Sequence, residues 1–127
     1  MVTAPDRRQI FITRFENGEA VAQGEWIEIT DGSRLDGRTE WSPDGSLLYF
    51  VSDRDGFRCI WAQRLDPATK RPTDDAFGVH HAHLANRQIM RRGNFSTVGL
   101  SLGGDRLFFS MDEMAGNIWK LEPSRPE

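Results

Sequence analysis

The fold is decided by residues 41–50, WSPDGSLLYF, and by their recurrence 59 positions later as residues 100–109, LSLGGDRLFF. In each copy a short strand runs into a glycine-containing turn, and an apolar, aromatic strand follows that turn. In the first copy Pro43 presets φ for the turn, and Gly45 accepts the left-handed position. Self-similarity at a fixed period is typical of repeat architectures, so we expect two copies of one β unit.

The repeat continues beyond the two aromatic strands. Ile60-Trp61 follows the first of them and Ile118-Trp119 follows the second, and Leu65-Asp66-Pro67 is echoed by Leu121-Glu122-Pro123. With the strand that follows, each copy predicts a four-stranded antiparallel sheet. Such a unit cannot bury both of its faces alone, so it stacks against similar units around an axis as a propeller blade.

The rest of the chain repeats the same rhythm of short apolar runs and polar turns, with almost no helical periodicity. Asn17-Gly18 is a hairpin signal because both residues tolerate positive φ. Residues 47–52 lack polar alternation, which predicts a strand covered on both faces. The predicted strands are residues 9–15, 20–30, 38–42, 47–52, 57–65, 76–84, 96–101, 106–111 and 117–121.

Trp-Ser-Pro-Asp-Gly at 41–45, Ser-Asp-Arg-Asp-Gly at 52–56 and Ile-Trp at 60–61 resemble the repeat of the TolB-like β-propellers, a WD-repeat-like family. The second copy departs from that repeat, because Leu102-Gly103 replaces Pro-Asp. The resemblance implies an all-β fold of about two blades preceded by partial strands. It places trailing strands of a preceding blade at 9–30, a full blade at 38–84 and a degenerate blade at 96–123.

In this family the repeat residues are structural, which implies that the turns shape hairpins and the aromatic side chains pack between blades. Trp61 and Trp119 are therefore both expected in the core between blades, and Ser42 is expected to be a structural hydroxyl. The residues to which the resemblance gives this role are Trp41, Ser42, Pro43, Asp44, Gly45, Asp53, Gly56, Trp61, Gly104, Gly116 and Trp119.

Composition restricts the partners. The net charge of −3 and the pI near 5.6 disfavour nucleic acid and anionic membrane surfaces, and the basic cluster Arg87, Arg91 and Arg92 is interpreted as a solvated face. The longest apolar run, residues 47–51, is too short for a membrane helix, which needs about 20 residues. No signal peptide is recognisable at the start of the chain, although TolB-like relatives are often periplasmic, and the compartment stays open.

The chemistry-bearing motifs are few. There is no Gly-x-Ser-x-Gly elbow and no phosphate-binding loop, so we predict a non-enzyme without a cofactor. On a predicted strand His81 and His83 share one face and could bind zinc with a third ligand. No cysteine or carboxylate stands at a telling spacing, so packing is favoured and no metal is predicted. Cys59 is interpreted as a buried strand thiol, and a calcium loop starting at Asp53 would need Glu where Arg64 stands.

These observations favour a non-catalytic scaffold that binds a protein or peptide. The propeller would be completed either by the rest of a longer protein, of which this chain is the C-terminal part, or by further copies of the chain, for instance three chains in a six-bladed ring. Trp26, His81, His83 and Arg87 are the candidate binding residues. Two alternatives stay open: an accessory propeller of a peptidase- or kinase-linked enzyme whose active site lies elsewhere, and a metal-binding module built on His81 and His83.

Overall fold

The computed structural model describes residues 7–89 and 99–120, and in these ranges the chain is all-β, with short antiparallel sheets and one 3₁₀ turn at Gln23–Glu25. The strands are β1 (Phe11–Ile12), β2 (Phe15–Glu16), β3 (Glu19–Ala20), β4 (Ile27–Glu28), β5 (Asp36–Trp41), β6 (Leu47–Ser52), β7 (Cys59–Arg64), β8 (Phe77–His80), β9 (Arg87–Gln88), β10 (Leu100–Gly103), β11 (Arg106–Phe109) and β12 (Asp112–Glu113).

The first four strands form one interrupted hairpin. Asn17 and Gly18 turn it with φ of 54° and 87°, as their sequence predicts. β2 pairs with β3 and β1 pairs with β4. Between the two pairs, residues 21–26 oppose only residues 13–14, and the excess is taken up by the 3₁₀ turn. The prediction of one continuous strand over 20–30 is therefore wrong, because the two arms of the hairpin differ in length.

A four-stranded sheet in the order β5-β6-β7-β8 forms the centre of the structure, and every neighbouring pair is antiparallel. The prediction for β6 is confirmed residue for residue. β8 is shorter than the predicted strand 76–84, because it ends at His80. Beyond that point the amide of Ala82 donates to Cys59 Sγ at 3.3 Å rather than to a strand carbonyl.

Both faces of the β6–β7 hairpin are covered, as the apolar run at 47–52 predicts. Val51 and Ile60, cross-strand partners, are fully buried on one face, and Leu48 and Phe50 are buried on the other. The first face packs with Leu35, Ala82, Ile89, Leu100, Leu107, Phe109 and Met111. The second packs with Ile10, Ile12, Ile29, Trp61, Leu65 and Ala76. The sheet is thus a middle layer between the N-terminal hairpin and the second copy of the repeat.

The turn between β5 and β6 shows why its residue types are needed. Ser42 Oγ donates to Asp44 Oδ1 at 2.6 Å and accepts from the amide of Leu47 at 2.9 Å. Gly45 takes a φ of 68°, which glycine adopts without the steric cost of a Cβ atom. The hydroxyl of Ser42 therefore closes the turn between β5 and β6.

The second copy of the repeat is built only in part. β10 and β11 pair around Gly104, whose φ of 63° matches that of Gly45, and β10 packs beside β5. The strand expected at 117–121 does not form over its described residues 117–120, and β12 pairs with β9 instead. Residues 96–98 of the predicted strand 96–101 lie outside the described residues.

Ile118 and Trp119 correct a second expectation. Their repeat equivalents differ sharply, since Ile60 is fully buried and Trp61 is half-buried, whereas Ile118 is 100% exposed and Trp119 is 89% exposed. Within the described part of this chain, Trp119 is therefore not packed in a core between blades. The physical reason is that, among the described residues, no strand pairs with residues 117–120, so Ile118 and Trp119 are left uncovered.

Across the described ranges we find no helix with the length and apolarity that a membrane crossing would require.

Candidate functional site

The candidate site is a cluster of four side chains at one corner of the central sheet, which we call the His–Asp–Cys cluster: Asp55, Cys59, His81 and His83. Asp55 lies in the turn between β6 and β7, where Gly56 has a φ of 89° and its amide bonds to the carbonyl of Asp53 at 2.9 Å. Cys59 begins β7. The two histidines follow the last residue of β8. Because β7 and β8 are antiparallel, the end of β8 lies beside the start of β7.

Asp55 holds the two imidazoles together. Its Oδ2 atom lies 3.0 Å from Nδ1 of His81 and 2.7 Å from Nε2 of His83. Its Oδ1 atom accepts from the amide of Phe57 at 3.3 Å, which fixes the plane of the carboxylate. The side chains of His81 and His83 are about half exposed, at 48% and 47%. The cluster is therefore open to solvent on the histidine side.

Cys59 closes the cluster from the inside. It is fully buried, and its Sγ accepts from the amide of Ala82, the residue between the two histidines. The Sγ atom, the carboxylate oxygen and the two imidazole nitrogens all lie within 4.8 Å of one another. Four potential metal-ligating atoms of three chemical types thus converge on one point.

Neighbouring residues fix the orientation of both rings. Trp61 contacts His81 edge-on with a centroid distance of 5.5 Å, and Phe57 packs on His83 at 4.9 Å. Gly78 is the residue beneath the His81 ring, and a Cβ there would overlap Nε2 and Cε1 of that ring. A glycine at position 78 is therefore a condition for the observed placement of His81.

The electrostatics follow from burial and hydrogen bonding. Burial acts to raise the pKa of Asp55, but the hydrogen bonds from His83, His81 and the amide of Phe57 outweigh it, so the pKa is lowered and the carboxylate stays ionised. Burial raises the pKa of the Cys59 thiol, with a further contribution from the nearby Asp55 charge. In the absence of a metal the cluster therefore combines a carboxylate with a protonated thiol.

Sequence reasoning found the histidines and missed their partners. It placed His81 and His83 on one face of a strand, whereas both lie beyond the end of β8. It also found no cysteine or carboxylate at a telling spacing, because Asp55 and Cys59 are more than twenty positions away. The available signal was antiparallel pairing of two consecutive predicted strands, which places the start of one beside the end of the other.

The other candidate binding residues lie apart from this cluster. Trp26 is 36% exposed, and its indole N–H donates to the carbonyl of Val21 at 2.9 Å within the N-terminal hairpin. Arg87 on β9 forms an ion pair of 3.0 Å with Glu113 on β12. Arg91 and Arg92, its companions in the predicted basic cluster, lie outside the described residues.

The repeat residues have separate local environments. Trp41 is 41% exposed, with the Lys70 ammonium 5.7 Å from its ring centroid. Asp53 Oδ1 accepts from the amide of Leu35 at 3.0 Å, which ties the β6–β7 turn to the start of β5. The guanidinium carbon of Arg54 lies over the Trp61 ring, 4.9 Å from the ring centroid. Pro43 is an exposed turn residue, and Gly116 lies in a segment without regular structure.

An acidic cleft includes Arg54 of the β6–β7 turn in its lining. Asp31, Asp36, Asp74 and Asp75 line it together with Arg54. Asp36 is buried, and its Oδ1 lies 3.6 Å from Nη2 of Arg54. Because the guanidinium faces the buried carboxylate, the cleft is already partly neutralised from within, and it brings together none of the predicted binding residues.

Comparison with known proteins does not assign the chain to a family. No protein-family model matches it, and no solved structure matches it significantly. Over 64 residues, 50% of the chain, it is 34% identical to an uncharacterised protein of Agrobacterium fabrum. This match spans 22% of the length of that relative.

Proposed function

We propose that the chain contributes blades to a TolB-like β-propeller and acts as a non-catalytic scaffold for protein or peptide interaction. The observation that carries the proposal is the burial of the β6–β7 hairpin on both faces. Val51 on one face and Phe50 on the other are both fully buried, each against a different segment of the chain. A sheet covered on both faces by neighbouring β segments is the arrangement expected of a blade inside a stack.

The relation between the two copies of the repeat supports the same proposal. β5 and β10 are the first strands of their copies, and they pack beside each other. In a propeller the first strands of successive blades surround the central channel, so this contact has the expected place in a blade pair.

The exposed apolar side chains support a role in interaction. Ile118 and Trp119 are almost fully exposed, and Phe108 on β11 is 55% exposed. Large exposed aromatic and aliphatic groups are typical of surfaces that a partner covers. We expect the covering surface to be a further blade, supplied by another copy of the chain or by the rest of a longer protein. The greater length of the Agrobacterium relative is consistent with additional blades.

The test is the mass of the chain in solution, measured by light scattering coupled to size exclusion over a range of concentrations. We expect a discrete oligomer, and we expect the double variant Ile118→Ser/Trp119→Ser to be monomeric. Leu84→Ser is the matched control, because Leu84 is also exposed, at 58%, but is not part of the exposed segment that holds Ile118 and Trp119.

A double variant that associates as the wild type does would contradict the proposal. A wild-type chain that is monomeric at every concentration would exclude another copy of the chain as the source of the covering blade. Reproducible turnover of a peptidase or phosphotransfer substrate by the purified chain would contradict its non-catalytic part.

A further inference from the structure

We propose that the His–Asp–Cys cluster is a binding site for a transition-metal ion, with Zn²⁺ as the ion that its ligands fit best. Asp55, Cys59, His81 and His83 would supply one oxygen, one sulfur and two nitrogen ligands. The proposal does not depend on the propeller architecture, because it needs only the corner of the central sheet where β7 starts and β8 ends.

The distances are close to those of a tetrahedral site. With Zn–S near 2.3 Å and Zn–N near 2.0–2.1 Å, ligand atoms of a tetrahedron lie about 3.3–3.6 Å apart. The cluster already has Asp55 Oδ2 at 3.0 Å and 2.7 Å from the two imidazole nitrogens, and its widest separation is at most 4.8 Å. Closure around an ion therefore requires shifts of about 1 Å, which rotation of half-exposed imidazoles can provide.

The ligand types select the metal. Thiolate and imidazole ligands suit Zn²⁺ and similar transition metals, whereas Ca²⁺ and Mg²⁺ require oxygen ligands. Four protein ligands leave no open position on a tetrahedral ion, which is the arrangement of a structural site rather than a catalytic one. A bound ion would connect the β6–β7 turn, the start of β7 and the segment after β8.

Neighbouring groups orient the four ligand side chains, as hydrogen bonds around the ligands do in known metal sites. The Ala82 amide donates to Cys59 Sγ, and the Phe57 amide holds Asp55 Oδ1 so that Oδ2 faces the imidazoles. Gly78 leaves room for the His81 ring. Such outer contacts orient ligands and are commonly needed for affinity.

Metal binding has a defined proton balance. The Cys59 thiol must lose its proton, and Nδ1 of His81 and Nε2 of His83 must each present a lone pair to the ion. Protons on these atoms therefore pass to solvent as the metal–ligand bonds form; apart from these S–H and N–H bonds no covalent bond of the protein is broken, and no electron is transferred. The half-exposed histidine side is the entry path, whereas Cys59 is reached last.

The alternative is a metal-free hydrogen-bonded cluster in which Asp55 simply pairs the two histidines. That reading accounts for the two short contacts of Asp55, and it leaves Cys59 as a protonated thiol whose Sγ accepts from the Ala82 amide. The two readings differ in whether Cys59 becomes a thiolate ligand, which spectroscopy detects directly.

The test is titration of the chelator-treated full chain with Co²⁺, followed by displacement with Zn²⁺. We expect one equivalent of Co²⁺ to give the visible bands of a tetrahedral ion and a thiolate-to-metal charge-transfer band, both removed by Zn²⁺. Cys59→Ser should remove the charge-transfer band. His83→Gln, at a half-exposed position, should weaken binding at least tenfold, since even outer contacts are worth about 10–100-fold.

His80→Gln is the matched control, because His80 packs against Phe109 and not in the cluster. It should bind Co²⁺ as the wild type does, and Zn²⁺ should raise the melting temperature of wild type and control but not of His83→Gln. A cobalt spectrum without the charge-transfer band, or equal affinity of wild type and His83→Gln, would overturn the proposal. Neither result bears on the association of the chain tested above.

Discussion

Truncation of one side chain on each face of β6 tests whether the central sheet is a covered middle layer. Phe50 and Val51 are adjacent, fully buried and directed to opposite faces. Phe50→Ala should cost about 3–5 kcal/mol of unfolding free energy from lost burial and the cavity left behind. Val51→Ala removes two methyl groups worth about 0.8 kcal/mol each, and the cavity brings the expected loss to about 2–3 kcal/mol.

The assay is urea unfolding followed by tryptophan fluorescence, with the midpoint and slope fitted for each variant. Phe15→Ala is the control, because Phe15 is 72% exposed, and its effect should stay within about 0.5 kcal/mol. If Phe50→Ala fails to fold, Phe50→Leu should still fold, at a cost of about 1 kcal/mol. A Val51→Ala variant as stable as the Phe15→Ala control would refute the reasoning, because that face of the sheet would then be uncovered.

Three further predictions follow from single contacts. Gly78→Ala should displace the His81 ring from Asp55 and lower stability by about 1 kcal/mol, whereas Gly24→Ala, where a Cβ meets nothing within 4 Å, should change it by less than about 0.5 kcal/mol in the same urea assay. Hydrogen bonds donated by Ser42 and then by Ser46 lower the pKa of Asp44 from 3.8 to about 2, so the ionised carboxylate stabilises the fold above pH 3.8 and this contribution is lost as the pH falls towards 2. Ser42→Ala should therefore raise the pKa of Asp44 measured by NMR titration. An unchanged titration curve would contradict the assignment of this cause. Cys59 in the metal-free chain should react with a thiol reagent only after unfolding, because it is fully buried and its pKa is raised, so rapid labelling of the native chain would show that the corner of the sheet opens.

The sequence alone determined the local elements. Residues 47–52 predicted β6 residue for residue, because a run of five apolar residues between turn signals has the length of a buried strand and is too short for a typical helix. Asn17-Gly18, Gly45 and Gly104 marked their turns, because positive φ is a property of the residue itself and of its immediate neighbours. These features depend on contacts within a few positions of the chain.

Only the tertiary structure decided what surrounds each element. Trp119 matches Trp61 in the repeat, yet it is exposed, because burial depends on a neighbouring strand that a repeat pattern does not supply. The end of β8 at His80 was also not predictable from the local sequence, because the Ala82 amide donates its hydrogen bond to the sulfur of Cys59, which is distant in sequence. The meeting of Asp55 and Cys59 with the two histidines follows from the antiparallel register of β7 and β8. Register is a long-range property, set by which side chains fill both faces of the sheet together, and that is why a pattern of residue types could indicate the histidines but not the site they form.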